Sequence, residues 1–186
     1  PSKSGLGGGS MNAANILKYL IKKKFINLNK VQLSSICKSI GSDVALGLNS
    51  TFTILKSNND IKEFKNCKKF YALIVKPSFG CSTKEIYSRV NKFTKPRFNK
   101  PSKKMFSFDN LKKLNNSLET ISLSMFPKLK NIKHFLEKSS NECFVRMTGS
   151  GSAIVAYFRS KKLCDDVKKK FSRTYKNCWC KVAKTI

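Results

Sequence analysis

The residues best suited to chemistry form a glycine-rich stretch at positions 1–10, directly before a helical pattern. The glycines are Gly5, Gly7, Gly8 and Gly9. Glycine leaves backbone N–H groups uncovered, and the positive end of a helix dipole adds to their attraction for an anion. We expect Ser10 to cap the helix, because its hydroxyl can accept a hydrogen bond from the first turn. The pattern predicts a phosphate-binding loop, with a flexible linker as the alternative.

A second glycine-rich loop reads Thr-Gly-Ser-Gly-Ser at residues 148–152, between two strand-like runs. It is longer than a two-residue hairpin turn, and its glycines allow the backbone to approach a ligand closely. A plain hairpin loop is the alternative for this segment by itself. Two such loops in one small chain favour joint use on one phosphorylated ligand.

Asp43 is the only carboxylate among residues 1–59, in a stretch otherwise rich in lysine. It follows Gly41 and precedes an apolar segment, so we expect it at a turn. A carboxylate beside a phosphate-binding loop can orient an attacking hydroxyl and accept its proton. A turn or helix-cap aspartate without a chemical role fits the pattern equally well.

The net charge of the 186-residue chain is strongly positive, with 38 Lys+Arg against 10 Asp+Glu, or +28. Lysines are spread along the chain as doublets and triplets and form no basic arm, which favours solvated surface lysine over nucleic-acid binding. A lysine-rich nucleic-acid module remains the alternative. The longest apolar runs, such as residues 153–158, are far below the ~18 residues of a membrane span, which argues against an integral membrane protein.

The seven cysteines contain no C-x-x-C pair, and His134 is the only histidine. Zinc-site spacing is therefore missing from the sequence. The cysteines are predicted to be thiols of a reducing, cytoplasmic environment. His134 lies among lysines in a helical pattern, so we expect a surface residue.

Apolar periodicity and turn residues predict the elements that would hold these loops. Helices are predicted near 12–24, 30–39, 109–114, 116–124, 127–138 and 160–172. Strands are predicted near 51–55, 70–75, 143–147, 153–158 and 178–183, with a connection at 57–66 and a mobile basic loop at 91–107. This order indicates an α+β fold with a ferredoxin-like second half.

Residues 1–10, with Asn12-Ala13-Ala14, resemble the ATP-binding motif of the GHMP kinases. Further segments resemble that family's later motifs and follow in its order: residues 41–44, 76–87, 116–119 and 147–151. Three residues depart from the family pattern. Met11 stands in place of a second serine, Ala45 in place of a proline, and Ser117 in place of an aspartate.

The resemblance implies a GHMP kinase fold, in which residues 1–66 are the remnant of an N-terminal ribosomal-protein-S5-like domain and residues 67–186 form the ferredoxin-like C-terminal domain. It implies the C-terminal part of a kinase that lacks its N-terminal segment and is inactive by itself. The motifs are most similar to family members of the non-mevalonate isoprenoid pathway, which phosphorylate a hydroxyl of a diphosphocytidyl methylerythritol. Another GHMP small-molecule kinase, of the homoserine or mevalonate type, is the alternative.

The same resemblance implies ATP and Mg²⁺ as cofactors, no protein-built metal site, and a cytoplasmic monomer or weak homodimer. The ATP-binding residues would be Pro1, Ser2, Lys3, Ser4, Gly5, Leu6, Gly7, Gly8, Gly9, Ser10 and Met11. Asp43 would be catalytic. The substrate-binding residues would be Thr83, Tyr87, Gly149, Ser150 and Gly151. Tyr87 would stack on the cytosine, with core packing as the alternative because it follows Ile86 in a helical pattern.

Overall fold

The computed structural model describes residues 3–41, 43–49, 51–56, 60–91, 95, 98 and 100–185. The chain divides into two compact units. The helix–hairpin unit comprises Gly7–Lys65 with residues 96–101, and the sheet unit comprises Asn66–Lys95, Ser102–Ile186 and the residues before Gly7. One boundary between the units falls between Lys65 and Asn66. Residues 3–6 group with the sheet unit, because Ser4 and Gly5 contact the loop at 148–153.

The helix–hairpin unit contains two helices, a short 3-10 helix and a two-stranded hairpin. These are α1 (Gly8–Lys22), α2 (Lys30–Ile40), the 3-10 helix Ala45–Gly47, β1 (Phe52–Leu55) and β2 (Ile61–Phe64). α2 begins with a capping box, in which the side chains of Asn29 and Gln32 each accept the other's backbone N–H at 2.9 Å. The strands pair antiparallel, with Phe52 opposite Phe64.

A small apolar core joins α1 and α2 to the segment after Asp43. Its buried residues are Ala14, Leu17, Cys37 and Val44. Ala14 and Leu17 are three residues apart and therefore share one face of α1. The prediction of a connection over 57–66 was wrong for Ile61–Phe64, which forms β2. Its two middle residues are exposed and its two ends are half-buried, so the strand lacks the alternation that sequence reasoning uses.

The sheet unit contains a four-stranded antiparallel sheet with helices between its strands. In chain order it has β3 (Tyr71–Lys76), α3 (Thr83–Ser88), the 3-10 helix Lys103–Phe106, α4 (Phe108–Lys113), α5 (Glu119–Met125), α6 (Pro127–Lys138), β4 (Cys143–Met147), β5 (Ile154–Phe158), α7 (Lys161–Thr174) and β6 (Trp179–Lys184). The strand order is β4-β5-β3-β6. All three pairings are antiparallel. This β-α-β-β-α-β order confirms the predicted α+β fold and its ferredoxin-like half.

The two faces of this sheet bury different side chains, because successive residues of a strand point to opposite faces. One face carries Leu73 and Val75 against the helical core, which includes Leu129 and Phe171. The other face carries a smaller aromatic cluster of Phe70, Phe108 and Phe144. Phe108 contacts both partners edge-on, with ring centroids 5.2 and 4.9 Å apart. Helices therefore cover the first face, whereas the second face is covered only in part, since Trp179 and Lys181 of β6 are exposed.

The predicted helix bounds match the structure best where the sequence has a clear signal for the end of a helix. α6 begins at Pro127 and ends at Lys138, as predicted, since proline is favoured in the first helical turn. His134 is exposed on α6, which confirms it as a surface residue. Within the predicted mobile loop at 91–107, residues 92–94, 96, 97 and 99 lie outside the described residues. The prediction was wrong for Lys103–Phe106, which forms a 3-10 helix. Within the described part of the chain, every helix is too short or too polar to cross a membrane.

Candidate functional site

The first glycine-rich stretch begins α1 without a side-chain cap. Gly7 occupies the N-cap position with a φ of 67°, and the helix starts at Gly8. The first N–H groups of a helix have no acceptor within it, so the amides around Gly8 and Gly9 face outward at the positive end of the dipole. A Cβ added to Gly7, Gly8 or Gly9 would meet no described residue within 4 Å outside its own stretch of chain. The stretch is thus an open row of amide donors.

Ser10 and Met11 take places that the sequence does not predict. The expectation that Ser10 caps α1 was wrong, because the helix begins two residues earlier and Ser10 lies inside the first turn. The Met11 N–H donates to the Gly7 carbonyl at 2.9 Å, so this amide is already used within the helix. The Met11 side chain contacts the position of Gly47 in the 3-10 helix. The end of the Met11 side chain therefore packs on the 3-10 helix, although the residue is 38% exposed. The amides without an acceptor inside the helix are those of residues 7–10.

Asp43 lies in a tight turn that the core of the helix–hairpin unit holds in place. The Val44 N–H donates to the Gly41 carbonyl at 3.1 Å, and the Leu46 N–H donates to the Asp43 carbonyl at 3.2 Å. Val44 is 1% exposed and packs with Ala14, whereas the Asp43 side chain is exposed. The turn therefore rests on α1 and keeps the carboxylate out of the apolar core. Ser42, the neighbour of Asp43 in the motif, lies outside the described residues.

The beginning of the glycine-rich stretch belongs to the sheet unit and packs against its glycine loop. The Ala153 N–H donates to the Ser4 carbonyl at 2.9 Å. Gly5 has a φ of 69°, and a Cβ there would collide with the Thr148 carbonyl oxygen and lie 2.9 Å from the Gly151 backbone. Only glycine fits at this position. Pro1 and Ser2, two of the predicted ATP-binding residues, lie outside the described residues.

The loop between β4 and β5 turns on glycines in left-handed conformations. Gly149 has a φ of 49° and Gly151 a φ of 87°. Ser150 between them is 6% exposed, and its hydroxyl oxygen lies 2.8 Å from the hydroxyl oxygen of Thr83 at the start of α3. The structure thus brings four of the five predicted substrate-binding residues together, with Thr83 joined to the glycine loop by a direct hydrogen bond.

Tyr87, the fifth predicted substrate-binding residue, is 55% exposed on α3, while its neighbour Ile86 is fully buried. The helix therefore uses Ile86 for packing and presents the tyrosine ring outward. Core packing, the alternative for Tyr87, was wrong. An exposed ring held on a short anchored helix is available for stacking on a planar ligand.

A buried lysine supports the segment that leads from β3 to α3. Lys76 is 9% exposed, and its ammonium group donates to the carbonyls of Pro77 at 2.9 Å and Phe79 at 3.2 Å. The Ser152 hydroxyl also donates to the Phe79 carbonyl, at 2.7 Å. The Phe79 carbonyl therefore links this segment to the glycine loop, because it accepts hydrogen bonds from both Lys76 and Ser152. Sequence reasoning included Lys76 and Ser152 in its motifs but gave them no role, because their common partner is a backbone atom.

Two further residues hold the glycine loop from the start of α5. Asn116 and Glu119 bond to the backbone of Met147 and Gly149. Sequence reasoning quoted them as part of a motif and gave them no role. In the sequence, asparagine indicates a turn and the carboxylate indicates the start of a helix. Neither residue type identifies its hydrogen-bond partner, which lies 28–33 residues away in the chain.

A family model described as GHMP kinases C terminal matches residues 97–177 of the chain. This region holds the helices α4 to α7, the strands β4 and β5, and the glycine loop between those strands. The family model thus covers most of the ferredoxin-like half that the sheet order defines.

Named relatives match along the whole chain. A 4-diphosphocytidyl-2-C-methyl-D-erythritol kinase of Pelagibacter ubique (strain HTCC1062) is 52% identical over 186 residues, which cover 100% of this chain and 66% of the relative. The enzyme of the same name from Clostridium tetani (strain Massachusetts / E88) is 32% identical over 193 residues, which cover 100% of this chain and 68% of the relative. The chain thus spans about two thirds of the length of these relatives.

Solved structures share the fold. A 4-(cytidine 5'-diphospho)-2C-methyl-D-erythritol kinase matches with a TM-score of 0.77 at 22% identity, over 98% of this chain and 67% of that one. A homoserine kinase from Cytophaga hutchinsonii matches with a TM-score of 0.73 at 15% identity, over 100% and 67%. Fold and glycine loops agree with the GHMP kinase class. The chain belongs to the 4-diphosphocytidyl-2-C-methyl-D-erythritol kinase family.

Proposed function

We propose that this chain takes part in the ATP-dependent phosphorylation of a hydroxyl group of 4-diphosphocytidyl-2-C-methyl-D-erythritol, in the non-mevalonate pathway of isoprenoid biosynthesis. The names of the relatives support the acceptor. The observation that carries the proposal is the open row of amides at residues 7–10, which suits the phosphates of a nucleotide.

Among the described residues nothing packs against the Cβ positions of Gly8 and Gly9, and this supports a ligand there. A glycine in a helix interior is less favourable than alanine by roughly 1 kcal/mol. Both residues are helical, and a Cβ at either position would meet no protein atom within 4 Å. A Cβ there would instead stand between the backbone and an approaching phosphate oxygen. The glycines are thus explained by close approach of an anion.

Asp43 is the proposed catalytic carboxylate. Phosphoryl transfer needs little covalent chemistry from a protein, and positioning of the attacking hydroxyl is a main task. The exposed carboxylate of Asp43 lies on a turn anchored by Val44, in the same unit as residues 7–10. It would accept a hydrogen bond from the hydroxyl of the acceptor and orient that oxygen. As the oxygen bonds to the γ-phosphorus of ATP, the bond from that phosphorus to the bridging oxygen breaks, ADP leaves, and the carboxylate takes the proton.

The sheet unit is the proposed binding unit for the rest of the acceptor. The exposed ring of Tyr87 would stack on cytosine, a contact that contributes roughly 1–3 kcal/mol in comparable sites. The left-handed glycines at 149 and 151 allow the backbone of that loop to approach the substrate without a side chain in the way. Thr83 and Ser150 bond to each other and would hold the loop beside α3.

Mg²⁺ is the proposed metal cofactor, and it would enter with the nucleotide. Proteins usually bind this ion through one or two carboxylates together with substrate phosphates. When bound, Mg²⁺ neutralises negative charge on the transferred phosphoryl group.

The chain covers about two thirds of its relatives' length, so we propose that it does not turn over substrate by itself. The complete protein would act in the cytoplasm as a monomer or weak homodimer. Its thiols fit a reducing compartment, since five of the seven cysteines are buried and none forms a disulfide within the described chain.

The proposal is tested on the complete protein as its gene encodes it, with ATP, Mg²⁺ and three separate acceptors. These are 4-diphosphocytidyl-2-C-methyl-D-erythritol, homoserine and mevalonate. We expect transfer of phosphate only to the first. Asp43→Asn should reduce kcat by roughly 100-fold or more, in line with the loss of a general base, while Kd for ATP changes little. Asp60→Asn makes the same chemical change in the same unit, and it should leave kcat near the wild-type value.

Two results would contradict this assignment. Phosphorylation of homoserine or mevalonate in place of the cytidine compound would move the protein to another branch of the GHMP kinases. Unchanged kcat in Asp43→Asn would remove Asp43 from the chemistry, since a catalytic base cannot be replaced by an amide without loss.

A further inference from the structure

The glycine loop of the sheet unit is held by side chains from one short segment, residues 116–122. The Asn116 amide donates to the Met147 carbonyl at 3.0 Å and to the Gly149 carbonyl at 2.7 Å. A Glu119 carboxylate oxygen accepts the Met147 N–H at 2.7 Å. The Ser122 hydroxyl donates to the Ser150 carbonyl at 3.2 Å. Four hydrogen bonds thus fix the backbone from Met147 to Ser150.

Asn116 is itself fixed in orientation. Its side-chain oxygen accepts the Leu118 N–H at 3.0 Å, in the manner of an Asx-turn. The amide nitrogen must then face the loop, where two carbonyl oxygens require a donor. Ser122 is fully buried, so its hydroxyl has little freedom to turn elsewhere. The Asn116 amide and the Ser122 hydroxyl are therefore oriented towards the loop by the structure around them.

Glu119 is held on its other side by an ion pair. Its second oxygen lies 3.3 Å from the Lys133 ammonium, with both side chains about 15% exposed. Lys133 also bonds Glu137 at 2.6 Å. Burial lowers the pKa of Lys133, but the hydrogen bond to Glu137 and the charge of Glu119 outweigh it and raise the pKa overall. The lysine stays charged, and the carboxylate stays aimed at the Met147 N–H.

The contact from Asn116 determines the direction of an amide in the loop. The carbonyl and N–H of a trans peptide unit point in opposite directions. Asn116 binds the Gly149 carbonyl, so the N–H of Ser150, which belongs to the same peptide unit, points away from Asn116. The adjoining peptide is set likewise, since Ser122 binds the Ser150 carbonyl and the Gly151 N–H donates to the Thr148 carbonyl at 2.8 Å.

We infer that Asn116, with Glu119 and Ser122, forms a positioning set that aims the backbone amide of Ser150 at the diphosphate of the acceptor. This inference rests on the proposed function. None of the three side chains touches the substrate. They act through the loop, and the chemistry they serve is recognition of an anionic phosphoryl acceptor.

The test varies ATP and acceptor separately in steady-state assays of the complete protein. Asn116→Asp keeps the acceptor oxygen for Leu118 and removes both donors to the loop. We expect its KM for the cytidine acceptor to rise at least tenfold, with KM for ATP within twofold of wild type. The matched control is Asn115→Asp, an exposed neighbour, which should change neither constant.

A conservative pair separates positioning from general support of the fold. Glu119→Gln keeps an oxygen for the Met147 N–H and loses the ion pair with Lys133, whereas Glu119→Ala loses both. We expect both variants to melt at lower temperature, but only Glu119→Ala to raise the acceptor KM. If the acceptor KM rises in both variants in proportion to the loss in Tm, the three side chains have only a structural role and the inference is overturned.

A second readout does not depend on catalysis. The Gly151 N–H is bonded to the Thr148 carbonyl within the loop, so its exchange reports whether the loop stays fixed. Hydrogen–deuterium exchange at Gly151 should be at least tenfold faster in Asn116→Asp than in Asn115→Asp, and equal rates would overturn the inference. An inactive wild-type protein would contradict the proposed function. The exchange rates would still show whether Asn116 holds the loop.

Ser122→Ala removes one bond and gives a milder variant if Asn116→Asp fails to fold. We expect a threefold rise in its acceptor KM, with KM for ATP unchanged. An acceptor KM equal to that of wild type would contradict the positioning role.

Discussion

Two groups of glycines with similar sequences have opposite surroundings. Gly5 is enclosed by the backbone of Thr148 and Gly151, and its φ of 69° admits no other residue comfortably. Gly8 and Gly9 are helical and have no protein atom near a would-be Cβ. The fold requires the first glycine, whereas nothing in the described fold requires the other two. A glycine that the fold does not need is the stronger indication of a ligand.

The largest expected effect is on stability, from Gly5→Ala. A left-handed alanine costs about 1–2 kcal/mol, and overpacking against the Thr148 carbonyl adds about 1–3 kcal/mol. We expect the free energy of unfolding to fall by about 2–5 kcal/mol, measured by urea denaturation. Gly8→Ala, three residues away, is the matched control and should not be destabilised. Equal stability of the two variants would remove the distinction between the two groups.

Gly9→Ala should give the reverse outcome, with stability kept and activity lost. Alanine is the better helix former by roughly 1 kcal/mol, so the free energy of unfolding should stay the same or rise. A methyl group in the path of the phosphates should reduce kcat/KM for ATP by roughly 100-fold, as misplacement of about 1 Å can do. Normal kcat/KM in a stable Gly9→Ala protein would mean that no anion comes close to this turn.

Tyr87→Ala tests whether the sheet unit binds only the acceptor, because this variant should change KM for the acceptor and leave KM for ATP unchanged. Loss of a stacking partner should raise KM for the cytidine acceptor by about tenfold, within the 1–3 kcal/mol typical of base stacking. Tyr87→Phe keeps the ring and should behave as wild type. The ring is 55% exposed, so Tm should hardly change. A parallel rise in KM for ATP would show that Tyr87 does not separate the two substrates.

The smallest expected effect concerns alkaline pH in the sheet unit. Burial raises the pKa of the Cys164 thiol from 9.0 to about 11. The unfolded chain therefore loses this proton first, and stability falls as the pH rises from 9 towards 11. By pH 10 the loss should be about 1.4 kcal/mol. Denaturation curves at pH 8 and pH 10 measure it, and Cys164→Ala should lose less stability between them than wild type.

The sequence predicted the elements with strong local signals and failed where the signals are long-range. α6 begins with Pro127 at its first position, so both its existence and its start were predictable. β2 was missed because Lys62 and Glu63 break the alternation of its short run. Ser10 was a reasonable cap by residue type, but glycine-initiated α1 starts before it. Local chemistry thus finds an element more reliably than it finds its first residue.

The candidate site shows the same limit. Gly149, Gly151 and Thr83 could be named from the sequence, because glycine and hydroxyl patterns are local. Their supports could not. Asn116 and Lys76 bond backbone carbonyls, which every residue possesses, and only the folded chain reveals which carbonyl is chosen.

The Lys76 contacts have a practical consequence for surface labelling. Its ammonium is buried and occupied by the carbonyls of Pro77 and Phe79, in a chain where lysines are otherwise abundant. Among the lysines in the described part of the chain, Lys76 should therefore be the last that amine-directed reagents modify. Mass spectrometry can follow the acylation of Lys76. Its rate would report how often the segment between β3 and α3 opens.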